Sequence, residues 1–144
     1  MSHKNILVGA WKLLTFEFRR GGSVIYPYGK KARGSIIYTA SGQYSAQLMQ
    51  MDRPHFAVPD QMQGTSEEIA IAFKGCISYF GTYEIDFEHK KIFHHVEGSI
   101  FPNMEGTKQI RRFEIIGDNL TLTTPAFKLD GEKAIGVLEW KRIN

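Results

Sequence analysis

Cysteine is almost missing from this chain. Cys76 stands alone, so no internal disulfide forms, and without a recognisably spaced histidine it reads as a small apolar filler rather than a nucleophile. A long hydrophobic run is missing too: Met1-Ser2-His3-Lys4-Asn5 is polar and only a short apolar stretch follows, which suits neither a secretion signal nor a membrane span. A reducing, cytoplasmic setting is therefore expected. Charge of one sign is scarce. Eighteen Lys and Arg stand against fifteen Asp and Glu, for a net charge of +3, and the basic residues come in ones and twos such as Lys30-Lys31, Lys90-Lys91 and Arg111-Arg112. Nucleic-acid binding wants a continuous basic stripe that displaces counterions, so no nucleic-acid partner is expected. Gly-x-Gly-x-x-Gly, the phosphate-binding P-loop and Gly-x-Ser-x-Gly are all missing, which argues against a dinucleotide, a nucleoside triphosphate or an elbow-type serine hydrolase; no cofactor is implied.

What is present suits a globular chain. Of 144 residues, 42% are apolar and 23% charged. That fits one domain over residues 1–144, able to bury a core without metal or disulfide staples. From Gly9 onward the chain reads as short β-rich segments between turn residues. The candidate strands are 11–19, 35–40, 43–51, 79–88, 91–100, 107–116, 119–124 and 134–142. Nearly all are joined by tight turns, which predicts an all-β fold, an eight-stranded antiparallel up-and-down barrel, rather than a βαβ arrangement. Ser41-Gly42, His89-Lys90 and Gly117-Asp118 are each short enough for a two-residue hairpin. Between Asp52 and about Ser78 the pattern breaks. Pro54 and Pro59 mark loop, then Thr65-Ser66-Glu67-Glu68 forms a capping box with Ile69, Phe73 and Cys76 at helical spacing, which predicts one short helix over residues 66–75.

Hairpin register turns this outline into a set of inward residues. A two-residue turn at His89-Lys90 pairs Glu88 with Lys91 and sets Tyr79, Gly81, Tyr83, Ile85 and Phe87 opposite Ile100, Gly98, Val96, His94 and Ile92 on one apolar face. A turn at Gly117-Asp118 pairs Ile115 with Leu120, Phe113 with Leu122 and Arg111 with Thr124. Setting Ile100 opposite Thr107 then brings Val96 across from Arg111 and His94 across from Phe113. Alternation puts His94, Gln109 and Arg111 inside, among aromatic and aliphatic side chains, while His95, Glu97, Arg112 and Glu114 form a solvated ladder outside.

A lumen with a few polar groups on apolar walls is how a small-molecule site is usually built. A guanidinium aimed into it must find a carboxylate, carbonyls, water or a ligand anion, and no acidic residue falls on the Arg111 face of these hairpins. His94 titrates near neutrality when unperturbed, so it suits a ligand contact or a proton carrier; a core histidine bonded to a tyrosine or a carbonyl is the alternative. Gln109 shares the face of Arg111, either assisting it or sitting at the rim. Tyr79, Tyr83, Val96, Phe113 and Leu122 would line the apolar body, with Trp11 as floor and Tyr38 reaching the lumen. His94 and His95 point to opposite faces and His3, His55 and His89 supply no second cluster, so no metal is expected.

Several runs also carry a family likeness. Gly9-Ala10-Trp11 looks like the Gly-x-Trp that opens lipocalin barrels, and Arg142 matches the basic residue that packs over that tryptophan. More specific are Tyr26-Pro27-Tyr28-Gly29, Gly34 with Ile37-Tyr38-Thr39 and Gly42, and Tyr79-Phe80-Gly81-Thr82-Tyr83. They are followed by His94-His95-Val96-Glu97-Gly98-Ser99, Phe101-Pro102-Asn103, Gly106-Thr107, Gln109 with Arg111, and Leu120-Thr121-Leu122-Thr123-Thr124-Pro125. Over about residues 6–142 the chain resembles the small bacterial and fungal lipocalin-like domain family. The resemblance implies an eight-stranded barrel around a central ligand cavity. Related barrels include both carriers and isomerase- or cyclase-type enzymes.

Two functions follow as expectations. In the first, the barrel binds a small, largely apolar molecule whose polar end is fixed by Arg111 and His94 with help from Gln109. In the second, an isomerase- or cyclase-type enzyme acts on a small hydrophobic, polyketide- or terpenoid-like substrate, with His94 moving a proton and Arg111 stabilising an enolate-like oxygen. The expected partner is the small hydrophobic molecule itself; a homodimer is compatible with the sequence.

Overall fold

The computed structural model describes residues 5–144; residues 1–4, His3 among them, lie outside the described part. Among the described residues ten strands run β1 Gly9–Arg20, β2 Ser23–Ile25, β3 Arg33–Tyr38, β4 Gln43–Met49, β5 Cys76–Asp86, β6 Lys91–Ser99, β7 Lys108–Ile116, β8 Asn119–Thr123, β9 Phe127–Leu129 and β10 Glu132–Arg142, with one α-helix, α1, at Ser66–Lys74. Neighbours pair antiparallel in the order β2-β1-β3-β4-β5-β6-β7-β8-β10-β9, and β1 also pairs with β10. That last pairing closes eight long strands into the up-and-down barrel that the sequence predicts, and leaves β2 and β9 as short additions to β1 and β10. Among the described residues no helix is long and apolar enough to cross a membrane.

Alternation makes the wall. In β4, Tyr44, Ala46 and Leu48 are buried while Gln43, Ser45, Gln47 and Met49 are not; in β6 the buried set is Ile92, His94 and Val96. One end is sealed by the two strands that close the barrel. Trp11 on β1 is fully buried, its indole N–H donates to the Leu7 carbonyl at 2.9 Å, and the Arg142 guanidinium on β10 lies 4.2 Å from its ring centroid. Arg142 also donates to the Val8 carbonyl at 2.8 Å, so one cation caps the tryptophan and satisfies the incoming chain.

Turn chemistry corrects part of the expected register. The Gly117-Asp118 hairpin pairs Ile115 with Leu120 and Phe113 with Leu122, as the two-residue turn requires. At His89-Lys90 the turn takes four residues instead, and Asp86, not Glu88, pairs with Lys91. The reason is local: the Asp86 carboxylate accepts from the His89 backbone N–H at 3.1 Å and pairs with its ring at 2.8 Å, holding the longer turn. At Ser41-Gly42 the loop is three residues, Ala40 to Gly42. The Thr39 N–H donates to the Gln43 carbonyl at 2.8 Å, and Gly42 adopts φ 92°, the left-handed conformation such a loop needs.

Strands β6 and β7 part sooner than expected. Gly106 N–H donates to the Val96 carbonyl and Val96 N–H to the Thr107 carbonyl, both at 2.9 Å, so residues 97 to 105 leave the ladder and carry a 3-10 turn at Pro102–Met104. His94 consequently faces Gln109 rather than Phe113, and Arg111 faces Ile92 rather than Val96. The slip is an even number of residues, which preserves the inward set. A bulge follows in the β5–β6 pairing, where Gly81 opposes Val96 but Phe80 opposes Gly98. It turns Gly98 outward, where a Cβ would lie 2.6 Å from the Phe80 ring, and brings Ser99, not Ile100, opposite Tyr79. At Gly81 a Cβ would collide with the His95 carbonyl oxygen, so the bulge depends on glycine there.

Two measurements check these points. Gly81→Ala should lower the unfolding free energy by about 1–3 kcal/mol or more through overpacking against backbone, read as a drop in the urea midpoint; an unchanged midpoint would reject the close contact. Arg142→Met should cost on the order of 1–3 kcal/mol by stripping Trp11 and the Val8 carbonyl of their partner, with Arg142→Lys recovering only part of the loss.

Candidate ligand cavity

Above the sealed end the barrel is not filled. A cavity of about 390 Å³ remains, walled by Phe16 and Phe18 of β1, Ala46 and Leu48 of β4, Tyr79 of β5, Leu122 of β8, and Leu138 and Trp140 of β10. Phe73 and Lys74 of α1, Cys76, Ile100, Phe101 and Met104 surround its mouth. The helix is held there by its own sequence. Thr65 accepts from the Glu68 N–H at 3.1 Å and Glu68 accepts from the Thr65 N–H at 2.8 Å, the reciprocal capping box. At the other end Arg53 donates to the carbonyls of Gln50 at 3.0 Å and Ala72 at 3.2 Å, tying the loop after β4 to the C-terminal turn of α1.

The polar groups on the cavity surface are few, and β7 supplies two of them, Gln109 and Arg111. Gln109 donates to the Thr107 hydroxyl at 2.9 Å. Arg111 is half-buried; its Nη1 donates to the Ile110 carbonyl at 2.8 Å, and among the described residues no carboxylate lies within ion-pairing distance of it. Ser99 and Thr124 add hydroxyls to the lining, beside the polar tips of Tyr28, Tyr79 and Trp140.

His94 is placed differently. It is fully buried and takes no part in the cavity surface; Tyr79 does. Its Nε2 lies 2.8 Å from the Tyr38 hydroxyl, its ring stacks on Tyr44 at 4.4 Å and meets Tyr79 nearly edge-on at 6.1 Å. Burial pushes the imidazole down to about 3, with the positive charges of Arg111 and His95 adding to the effect, so it is neutral near pH 7. Burial likewise raises the Tyr38 phenol well above its ordinary value, and neighbouring Tyr79 adds to this while Arg111 opposes it. Among the described residues two buried side-chain polar atoms lack a partner: His94 Nδ1 and the indole nitrogen of Trp140.

The residues singled out from the sequence thus fall into three groups. Tyr79, Gln109, Arg111 and Leu122 contribute to the cavity surface. Tyr38 and His94 form the aromatic plug behind Tyr79, and Val96 and Phe113 are buried in the core without reaching the cavity. Tyr83 and Trp11 belong to the sealed end, where the Tyr83 hydroxyl donates to the Thr39 carbonyl and accepts from the Asn5 amide, both at 2.7 Å. Sequence reasoning missed Phe16, Phe18, Phe73, Phe101, Met104 and Trp140. For Phe16 and Phe18 the obstacle was a bulge in the β1–β10 pairing between Leu13 and Thr15, which lets Trp11 and Leu13 and then Phe16 all face inward across a change of parity. Trp140 was within reach, because it lies on the buried face of β10 with Leu138 two residues before it.

The buried imidazole sets a stability profile. In the unfolded chain it titrates near its ordinary 6.5, whereas in the fold it resists protonation down to about 3. Its depressed value means the contribution is complete above about pH 6.5 and is lost as pH falls toward 3. The slope reaches roughly 1.4 kcal/mol per pH unit for one proton. Urea midpoints of wild type and His94→Gln between pH 7 and pH 4 should therefore converge as pH falls; parallel profiles would mean the imidazole is accessible to protons in the fold.

The cavity, the closed barrel and the comparisons with known proteins lead to one family. Residues 8–143 match the lipocalin-like domain. A curated relative, the 4'-hydroxy-3'-methoxypropiophenone carrier protein ppsC of Aspergillus oryzae, is 30% identical over 106 residues, which is 69% of this chain and 96% of that protein. No solved structure matches. An antiparallel barrel closed by β1 on β10, matched over nearly its whole length, makes this chain a member of the lipocalin-like domain family.

Proposed function

We propose that the protein binds a small, largely apolar molecule in the barrel lumen and serves as its carrier. The observation that carries this reading is the unfilled cavity of about 390 Å³ inside an otherwise well-packed barrel, lined mostly by aromatic and aliphatic side chains with Gln109 and Arg111 at one side. A core that folding alone had shaped would close over such a volume, because each unfilled space forfeits dispersion contacts along its lining. The size suits a substituted monocyclic or small bicyclic ligand, at the lower end of the usual range for small-molecule sites. Burying about 200 Å² of apolar ligand surface would contribute on the order of 5 kcal/mol. The polar groups then fix orientation.

The Aspergillus relative supports the same class of ligand, since the molecule in its name is an aryl ketone with a phenolic hydroxyl. A binding role is also favoured over the isomerase- or cyclase-type alternative by the state of His94. A proton carrier should touch its substrate and titrate near working pH. This imidazole lies behind Tyr79, bonded to Tyr38 and held neutral.

The test is a lumen-blocking variant. N-phenyl-1-naphthylamine, a neutral dye that brightens in apolar surroundings, should bind the wild-type protein and lose roughly tenfold or more in affinity with Ala46→Phe, which fills the cavity from β4. The outer-face variant Ile37→Ala should bind as wild type does. Dye binding that ignores both changes, or no binding to a folded wild type, would sink the lumen as a ligand site.

A further inference from the structure

The cavity lining is unbalanced in charge, and this points to the chemical class of the ligand. Among the residues that line it there are two cations, Arg111 and Lys74, and no aspartate or glutamate. Lys74 is exposed at the C-terminal end of α1, beside the mouth. Arg111 lies on β7 opposite the fully buried Ile92 of β6, and its charge is felt by Tyr38, Tyr44 and His94. None of these neighbours offers a compensating negative charge, since burial keeps both phenols protonated and the imidazole neutral.

The guanidinium is also left with its recognition edge free. Nη1 is occupied by the Ile110 carbonyl at 2.8 Å, while Nε and Nη2 have no acceptor among the described residues. Those two nitrogens form the parallel fork that takes a carboxylate, or another planar oxyanion, through two charge-assisted hydrogen bonds. Elsewhere on the cavity wall one more donor is open: the buried indole N–H of Trp140 has no partner among the described residues. Because Arg111 is already partly withdrawn from water in the empty barrel, much of its desolvation has been met on folding, and the ligand need cover mainly its own.

Building on the lumen as a ligand site, we propose that the cavity selects a molecule with one delocalised oxyanion, a carboxylate or an ionised phenol, met by the free edge of Arg111 inside and drawn in past Lys74 at the mouth. The apolar body of the ligand lies against Phe16, Leu48, Tyr79, Leu122 and Trp140. A neutral molecule of the same shape fits the walls and leaves the guanidinium unpaired. Selectivity for the anion therefore comes from one side chain, and affinity for the body comes from the rest.

Calorimetry at pH 7.5 with 2-naphthoate and its neutral near-isostere 2-acetonaphthone tests the charge in the unmodified protein. The naphthoate should bind on the order of 10- to 100-fold more tightly, and Arg111→Met should remove that preference while 2-acetonaphthone binds as well as before or better. In a second arm, 4-nitrophenol near its own pKa should gain phenolate absorbance when the protein is added. A preference for naphthoate alone supports a carboxylate ligand, and a gain in phenolate absorbance supports a phenol. Equal or tighter binding of 2-acetonaphthone, with no gain in phenolate absorbance, overturns the anion while leaving the lumen site intact. Failure of all three probes to bind removes the lumen site and the anion with it. The wild-type ratio decides the matter even where Arg111→Met does not fold.

Discussion

Closure of β1 onto β10 is the constraint on which everything else in this protein rests. The pairing runs from Trp11 opposite Arg142 to Arg19 opposite Ile135, so the first and last strands are joined along most of their length. It joins the two ends of the sheet, leaving free edges only on the short β2 and β9, and gives the inward side chains a bounded space to fill. They fill only part of it. Trp11 under Arg142 seals one end, the packed rings of Tyr38, Tyr44, Tyr79 and His94 occupy the next layer, and above them smaller or rim-directed side chains such as Ala46 and Leu48 leave a hollow.

That layering explains why two polar residues on neighbouring strands have different fates. His94 and Arg111 both point inward, yet His94 falls in the packed layer and Arg111 at the hollow. The imidazole is neutralised by burial and bonded to Tyr38, which is how a packed interior accommodates a titratable group. The guanidinium cannot be neutralised in this way, because arginine stays charged in proteins, so it persists as an uncompensated cation where a guest would lie. The mouth shows the same economy of means. One capping box and one arginine, Arg53, fix α1 so that Phe73 and Lys74 meet the opening.

Much of this architecture was legible because β-structure writes itself with period two. Alternation in β6, the Gly117-Asp118 turn and the Thr65 to Glu68 box each act over a few residues, and each was read at the correct place. The inward set also survived errors in register: the hairpins at His89-Lys90 and between β6 and β7 both slipped by even numbers, and an even slip keeps every side chain on its face. Bulges behave otherwise. The irregularities after Leu13 and at Gly81 change parity in mid-strand, which is why Phe16 and Phe18 went unseen and Gly98 was assigned to the wrong face.

Local chemistry in the sequence by itself therefore determined the fold class, the helix and the side of the sheet on which Arg111, Gln109 and His94 lie, since each of these follows from spacing along the chain. Depth within the barrel was decided only in three dimensions. Whether an inward residue ends in the plug, like His94, or at the cavity, like Arg111, depends on how far each strand is staggered against its neighbours around the closed barrel. Stagger is the sum of every turn and bulge in the circuit, a property of the assembled sheet that no single segment contains.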